Sequence, residues 1–143
     1  MPSKTNFEIV LEQEGQLFFT NVGYSMYPLI REREDILHIV KTDSFRKGDV
    51  ALYKDEKGQY VLHRILKIKK GIVTLAGDYN PFKDPKIEES KLLGKLADIT
   101  KKGGKKIVLP QDEKARRFFY TNFFYGKAFF QNIGRLLHLR KIK

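Results

Sequence analysis

The sequence predicts a mainly β fold that begins with a short helix and ends with a long basic amphipathic helix. Between about residues 16 and 109, short runs of β-branched and alternating apolar residues are separated by turn signals rich in Gly, Asp and Lys. Residues 112–140 contain no proline, and their apolar residues recur with the period of a helix. We therefore expect a β domain over 1–110 and a helical tail over 111–143.

The N-terminal helix is predicted over residues 4–13, where Phe7, Val10 and Leu11 have the i, i+3, i+4 spacing of one helical face. Gly15 is expected to end this helix, because glycine readily adopts the left-handed conformation that closes a helix. Each strand that follows is a short apolar run bounded by turn residues. The predicted strands cover residues 16–22, 36–40, 49–53, 60–68, 72–76, 92–100 and 105–109.

The C-terminal segment combines an aromatic face with a strong positive charge. At about 100° per residue, Phe118, Phe129 and Leu136 fall on one side of a helix, and Lys127 falls on the other. The net charge of the chain is +11, and residues 101–143 hold 12 of the 28 Lys and Arg but 2 of the 17 Asp and Glu. Three partners stay open for this helix: an anionic membrane surface, a partner protein or acidic peptide, and the domain's own sheet. Binding to nucleic acid is not expected, because no recognition motif interleaves with the basic residues.

The composition excludes several classes of site. The chain has no cysteine, so disulfides and thiolate metal sites are excluded. Its three histidines, His38, His63 and His138, lie far apart and lack metal-ligand spacing, so neither a metal nor another cofactor is expected. No stretch approaches the ~18 apolar residues of a membrane-spanning helix. The sequence therefore predicts a cytoplasmic protein that contacts membranes, if at all, from the surface.

The segment Gly23-Tyr24-Ser25-Met26-Tyr27-Pro28 has the composition of a tight turn that displays a serine. Glycine permits a sharp turn at the end of a strand, and the proline restricts the backbone beyond it. A serine in such a turn can expose its hydroxyl, while nearby backbone N–H groups can hold an oxyanion. Taken alone, the same pattern is typical of an ordinary exposed turn.

Two further segments contain groups that could complete a site built on this serine. A serine needs a base to become a nucleophile at neutral pH, and histidine titrates in the required range. His63 lies on the predicted strand 60–68. The loop after the next predicted strand contains Asp78 and Asp84, either of which could orient the imidazole. The simpler interpretations are a half-buried strand histidine and an Asx turn.

Five short motifs follow one another in a recognisable order. They are a serine turn, a Lys-Gly-Asp-Val turn, a strand that carries the base, a Gly-Asp-x-Asn loop and a Leu-Gly-Lys-Leu strand. This order resembles the signal peptidase and LexA-type superfamily of serine peptidases, over roughly half of the chain. In this sequence the motifs are Gly23–Pro28, Lys47–Val50, Val61–Ile65, Gly77–Asn80 and Leu93–Leu96.

The resemblance implies a coiled, partly open β-barrel of short strands, and hence a peptidase-like domain over 1–110. Bacterial-type signal peptidases and self-cleaving repressors use a Ser–Lys dyad, whereas endoplasmic-reticulum and archaeal-type signal peptidases have a histidine as the base. The chain resembles this histidine branch, which makes Ser25 the nucleophile and His63 the general base. The branch assigns the acid to Asp84 first and to Asp78 second. The backbone N–H groups of Ser25 and Met26 are the implied oxyanion donors.

Departures from the superfamily narrow the expected substrate. Many signal peptidases have a serine two residues before the nucleophile, and Gly23 stands there in this chain. No membrane anchor is expected, and only 24 residues precede Ser25, too few for the DNA-binding domain of a repressor. The expected function is therefore cleavage of a peptide or leader sequence in trans. The alternative is a non-catalytic module of the same fold that binds a peptide or partner and docks to a membrane or protein through its tail.

Overall fold

Eight strands form a single antiparallel sheet in the computed structural model, which describes residues 6–21, 23–79 and 82–110. The strands are β1 (Gln16–Thr20), β2 (Ile36–Val40), β3 (Val50–Lys54), β4 (Tyr60–Lys69), β5 (Ile72–Ala76), β6 (Ile87–Glu88), β7 (Gly94–Thr100) and β8 (Lys106–Val108). Seven of them pair in the order β1-β2-β7-β3-β4-β5-β6, and β8 pairs with β7 beside that path. Because β1 and β6 stand at the two ends of this order, the sheet is not closed on itself.

The mainly β fold is confirmed, and the differences from the predicted strands lie near strand ends. β7 begins at Gly94 rather than at residue 92, because a 3-10 turn, Glu89–Lys91, comes before it. The Leu92 N–H still donates to the Glu89 carbonyl of that turn at 3.0 Å. The two-residue strand β6 was not predicted, since so short a strand has too little alternation to recognise.

The short N-terminal helix is confirmed as α1, Phe7–Glu14. The Asn6 side chain caps its first turn by accepting a hydrogen bond of 3.1 Å from the Ile9 N–H. Gly15 ends the helix in the left-handed conformation, with φ of 74°. The apolar face predicted from the i, i+3, i+4 spacing packs on the sheet through the buried Leu11.

The helix predicted over 111–143, and with it the division of the chain at residue 110, lies outside the described residues. Within the described residues, no helix has both the length and the apolar character needed to cross a bilayer.

Strand β3 is buried on both faces, and its pairing with β4 places His63 and Arg64 on opposite faces of the sheet. Leu52 packs in one hydrophobic cluster with residues of α1, β1, β2 and β7, while Ala51 packs in a second cluster with residues of β4 and β5. In the β3–β4 register, His63 stands opposite Ala51, and Arg64 stands opposite Val50. Since successive strand residues point to opposite faces, the imidazole and the guanidinium lie on opposite faces of the sheet.

Candidate active site

The turn that carries Ser25 is anchored in the core through its neighbour. Met26 is 0% exposed, and the Asp78 N–H donates to its sulfur at 3.4 Å. The Tyr27 N–H closes the turn by donating to the Tyr24 carbonyl at 3.0 Å. Next to the buried Met26, Ser25 is half-buried.

Gly77 is the point at which Ser25 and His63 approach each other. It lies one residue beyond the Arg64–Ala76 pair, the last pair of β4 and β5. A Cβ at Gly77 would lie 3.0 Å from Ser25 Cβ and 3.2 Å from His63 Nε2. Among the described residues, no hydrogen bond joins the Ser25 hydroxyl to His63. Hydrogen bonds in catalytic sites commonly tighten only when substrate binds. Here Ser25 Cβ and His63 Nε2 already lie beside the same point at Gly77.

Asp84 holds the other ring nitrogen of His63. The distance from His63 Nδ1 to Asp84 Oδ2 is 2.5 Å, and the two side chains are 10% and 11% exposed. The Asp84 N–H donates to the Leu75 carbonyl at 2.8 Å, which ties the loop to β5. In a neutral imidazole, an Nδ1–H that donates to a carboxylate leaves Nε2 without a proton. The nitrogen on the side of Ser25 can therefore act as the base.

Tyr53 also contacts this site, although none of the sequence motifs includes it. Its hydroxyl donates at 2.7 Å to Asp84 Oδ2, the same oxygen that His63 Nδ1 contacts. Burial, together with this hydrogen bond, raises the pKa of Tyr53, so the hydroxyl stays protonated. Alternation along β3 indicates that Tyr53 shares a face with Ala51. The sequence alone does not give the register of β3 on β4, which places Ala51 opposite His63 and so brings Tyr53 to the same face as the imidazole.

Asp78, the second choice for the acid, pairs with Arg64 rather than with His63. Arg64 Nε and Nη2 donate to the two carboxylate oxygens of Asp78, each at 2.7 Å. Arg64 Nη1 donates to the Gly48 carbonyl at 2.9 Å, and the side chains of Arg64 and Asp78 are 1% and 5% exposed. A buried guanidinium needs a paired carboxylate. Arg64 therefore holds Asp78 on the opposite face of the sheet from His63. The carboxylate that contacts the imidazole is that of Asp84.

Residues of the other sequence motifs have structural contacts around this centre. A Cβ at Gly94 would lie 2.6 Å from the Val40 carbonyl oxygen, so a glycine is required where β7 passes close to β2. Asp49 Oδ2 accepts a hydrogen bond of 2.8 Å from the Arg46 N–H and closes the turn before β3. Asn80, the last residue of the loop motif, lies outside the described residues.

The predicted oxyanion donors are the backbone N–H groups of Ser25 and Met26. No carbonyl or side chain in the described part of the chain accepts a hydrogen bond from either group. The Ser25 carbonyl accepts a hydrogen bond of 2.9 Å from the Tyr79 N–H, which fixes the turn on the loop after β5. Backbone N–H groups that are held in place beside a nucleophile can stabilise a developing oxyanion.

A second histidine–carboxylate pair lies on the other end of the sheet. His38 Nδ1 is 2.8 Å from Asp98 Oδ2, and His38 Nε2 is 2.8 Å from Gln16 Oε1. The ring stacks on Phe18 with the centroids 4.3 Å apart. Side chains of neighbouring strands thus contact both ring nitrogens of His38. Across the residues that the structure describes, no three His, Asp or Glu side chains are grouped to hold a metal ion.

A groove of about 940 Å³ lies between α1 and the chain around β6. Its lining includes the apolar Leu11 and Leu92 and the acidic Glu12 and Glu88. Ser25, His63 and Asp84 are not among the lining residues. The groups of the candidate site therefore act outside this groove.

Comparison of the chain with known protein families, with curated proteins and with solved structures found no match. What the chain can do is therefore inferred from its own residues. The Ser25 side chain, the His63 imidazole and the Asp84 carboxylate follow one another at this site, with Ser25 Cβ on the Nε2 side of the ring and Asp84 on the Nδ1 side. That order of groups suits nucleophilic catalysis by a serine.

Replacing Gly77 with alanine is expected to destabilise the fold and to slow any reaction of Ser25. The new Cβ would lie 2.5 Å from the Ser25 carbonyl oxygen, so either the serine turn or the backbone at residue 77 has to shift, which changes the approach of Ser25 to His63. Overpacking of this kind costs about 1–3 kcal/mol, which urea denaturation measures as a fall in the free energy of unfolding. A Gly77→Ala variant with wild-type stability and wild-type reactivity of Ser25 would contradict the close approach.

Proposed function

We propose that this chain is a serine endopeptidase of the signal peptidase and LexA-type superfamily, in the histidine branch, that cleaves a peptide or leader sequence in trans. The observation that carries the proposal is the approach of Ser25 and His63 Nε2 at Gly77, with Asp84 on Nδ1 of the same imidazole. The superfamily assignment rests on the order of the five sequence motifs. It implies that the open sheet corresponds to the coiled, partly open barrel of that superfamily.

In the first half of the proposed reaction, the Ser25 hydroxyl attacks the carbonyl carbon of the scissile bond. His63 Nε2 takes the hydroxyl proton, and the Asp84 carboxylate stabilises the resulting imidazolium through Nδ1. The backbone N–H groups of Ser25 and Met26 hold the oxyanion of the tetrahedral intermediate. The C–N bond then breaks, His63 returns the proton to the leaving amine, and an ester of Ser25 remains.

In the second half, water replaces the departed amine. His63 Nε2 removes a proton from the water as its oxygen attacks the ester carbonyl, and the same backbone N–H groups hold the second oxyanion. The bond to Ser25 Oγ breaks, and His63 returns the proton to that oxygen. The products are two shorter peptides and the unchanged enzyme, so no cofactor is consumed.

The proposed substrate is a peptide segment of another chain, such as a leader sequence. Tyr24, beside the nucleophile, is 64% exposed, and Phe82, on the loop that carries Asp84, is 76% exposed. Exposed aromatic side chains of this kind offer apolar contacts to a bound peptide. The basic residues of 111–143 are proposed to contact an anionic membrane surface or a partner protein.

A non-catalytic binding module is the second candidate function. Gly23 favours it, because a hydroxyl at that position would assist the oxyanion in many signal peptidases. The module would hold a peptide at the same place without cleaving it. The two candidates differ in whether peptide bonds are broken in a manner that depends on Ser25.

Cleavage of a peptide library tests the proposal. We expect the wild-type chain at neutral pH to generate new peptide termini that share residues next to the cleaved bond. The Ser25→Ala variant is expected to generate none of them, because loss of the nucleophile of such a site lowers kcat by about 10⁶-fold. Mass spectrometry of the products measures both samples. Identical termini from wild type and Ser25→Ala would overturn the assignment and favour the binding module.

A further inference from the structure

The Asp84 carboxylate receives two donors on one oxygen. Tyr53 Oη lies 2.7 Å from Asp84 Oδ2, and His63 Nδ1 lies 2.5 Å from the same atom. The three groups come from different parts of the chain: β3, β4 and the loop between β5 and β6. Because the same Asp84 oxygen contacts both side chains, the position of the Tyr53 hydroxyl affects the position of the His63 imidazole.

The Tyr53 hydroxyl is the better anchored of the two donors. Tyr53 is 5% exposed and packs in the second hydrophobic cluster, which also contains Val73 and Leu75 of β5. It stands opposite Val61 in the β3–β4 register, two residues from the pair of Ala51 and His63 on the same face. The packed ring therefore fixes the hydroxyl in space before any substrate arrives.

Asp84 has less support of its own. It lies in a loop, where its backbone N–H donates to the Leu75 carbonyl at 2.8 Å. That bond fixes the backbone, but the carboxylate can still rotate about the bonds of the side chain. Tyr53 restricts this rotation, because its hydroxyl points to one of the two carboxylate oxygens. A hydroxyl with a raised pKa remains a donor across the range in which a histidine works as a base.

We infer that Tyr53 is a positioning residue, whose hydroxyl holds the Asp84 carboxylate in the orientation that keeps His63 as the Nδ1–H tautomer with Nε2 facing Ser25. This positioning role adds a residue to the proposed catalytic groups Ser25, His63 and Asp84. Its expected effect on the reaction rate of Ser25 rests on the proposed function. Tyr53 itself touches neither Ser25 nor the substrate in this assignment. Its effect on the reaction passes through Asp84 and His63.

The Tyr53→Phe variant removes the hydroxyl and keeps the ring that fills the cluster. We expect the rate at which a fluorophosphonate phosphonylates Ser25 to fall about 10- to 100-fold, the range for losing one hydrogen bond to a charged group. In that reaction the Ser25 oxygen bonds to phosphorus, fluoride leaves and His63 takes the proton. Tyr60→Phe is the matched control, since the Tyr60 hydroxyl contacts Phe7 N at 3.2 Å and Glu8 at 3.3 Å.

Nitrogen-15 NMR of the imidazole tests the same inference without relying on any activity. Wild type and Tyr60→Phe are expected to show His63 with one protonated nitrogen, Nδ1, whereas Tyr53→Phe is expected to show a mixture of tautomers. A purely structural tyrosine would lower the melting temperature without changing the tautomer. A nuclear Overhauser cross-peak between the Tyr53 hydroxyl proton and the His63 Nδ1 proton is also expected in wild type. This measurement needs no variant, so it does not depend on whether Tyr53→Phe folds.

The outcomes separate the inference from the function on which it rests. A Tyr53→Phe chain with the wild-type labelling rate and a single Nδ1–H tautomer would overturn the role of Tyr53. Absence of the cross-peak in wild type would also overturn it. If Ser25 of wild type resists the fluorophosphonate while the tautomer changes in Tyr53→Phe, the positioning role stands and the peptidase proposal fails.

Discussion

The Asp84→Ala variant is expected to lose about 10⁴-fold in the rate at which a fluorophosphonate labels Ser25, which is the loss found when a catalytic serine site loses its aspartate alone. The carboxylate is the acceptor for His63 Nδ1 at 2.5 Å, so its removal frees the ring to adopt the wrong tautomer. Labelling is expected to remain measurable, because Ser25 and the base are still present. Mass spectrometry of the intact chain over time measures the rate.

Asp98→Ala is the matched control for this experiment. Asp98 Oδ2 also accepts from a histidine, His38 Nδ1, at 2.8 Å, but on a different part of the sheet. The control removes a carboxylate of the same chemical type and should leave the labelling of Ser25 unchanged. Equal losses in Asp84→Ala and Asp98→Ala would mean that the effect is a general one on the fold, and would argue against the assigned role of Asp84.

The Asp78→Ala variant is expected to lose about 3–5 kcal/mol of unfolding free energy, the cost of leaving a buried charge without its partner. The Arg64 side chain is 1% exposed and makes both of its carboxylate hydrogen bonds to Asp78. For a chain of this length the loss corresponds to a fall in melting temperature of roughly 10–15 °C. Thermal denaturation followed by circular dichroism measures it.

The double variant Arg64→Met, Asp78→Leu distinguishes the loss of stability caused by an unpaired buried charge from the loss caused by poorer packing. Replacing both partners of a buried ion pair with apolar side chains is often neutral or stabilising, so the double variant is expected to recover most of the stability that Asp78→Ala loses. If instead the two changes destabilise additively, the ion pair does not explain the burial of Arg64. Asp78 and Asp84 thus have different expected signatures, one in stability and the other in rate.

The strands were predictable because each apolar run ends at a residue with a clear turn preference. Alternation in 60–68 places His63 on one face of β4 and Arg64 on the other, and the β3–β4 pairing agrees with it. The two-residue strand β6 was not predictable, because its pairing to Ile72 and Val73 comes from the fold of the preceding loop rather than from its own residues.

The candidate site was predictable in its residue types, whereas the ranking of Asp84 before Asp78 came from the superfamily resemblance and not from the local pattern. Asp78 and Asp84 lie in one loop, and nothing in their spacing shows which faces His63. The choice depends on Arg64, whose buried guanidinium pairs with Asp78. Tyr53 was missed for a related reason: its contact with Asp84 joins residues 31 positions apart and requires the register of two strands. Long-range pairings of this kind are not encoded in local periodicity.

The rate of fluorophosphonate labelling at Ser25, compared between wild type and a His63→Gln variant, tests the central claim most directly. Sequencing of the labelled peptide by mass spectrometry identifies the modified residue, and His38→Gln serves as the control histidine. We expect wild type and His38→Gln to label at Ser25 alike, and His63→Gln to label about 10⁶-fold more slowly, the loss found when a catalytic serine site loses its base. A wild-type chain that stays unlabelled at Ser25, or labels as slowly as His63→Gln, would contradict it.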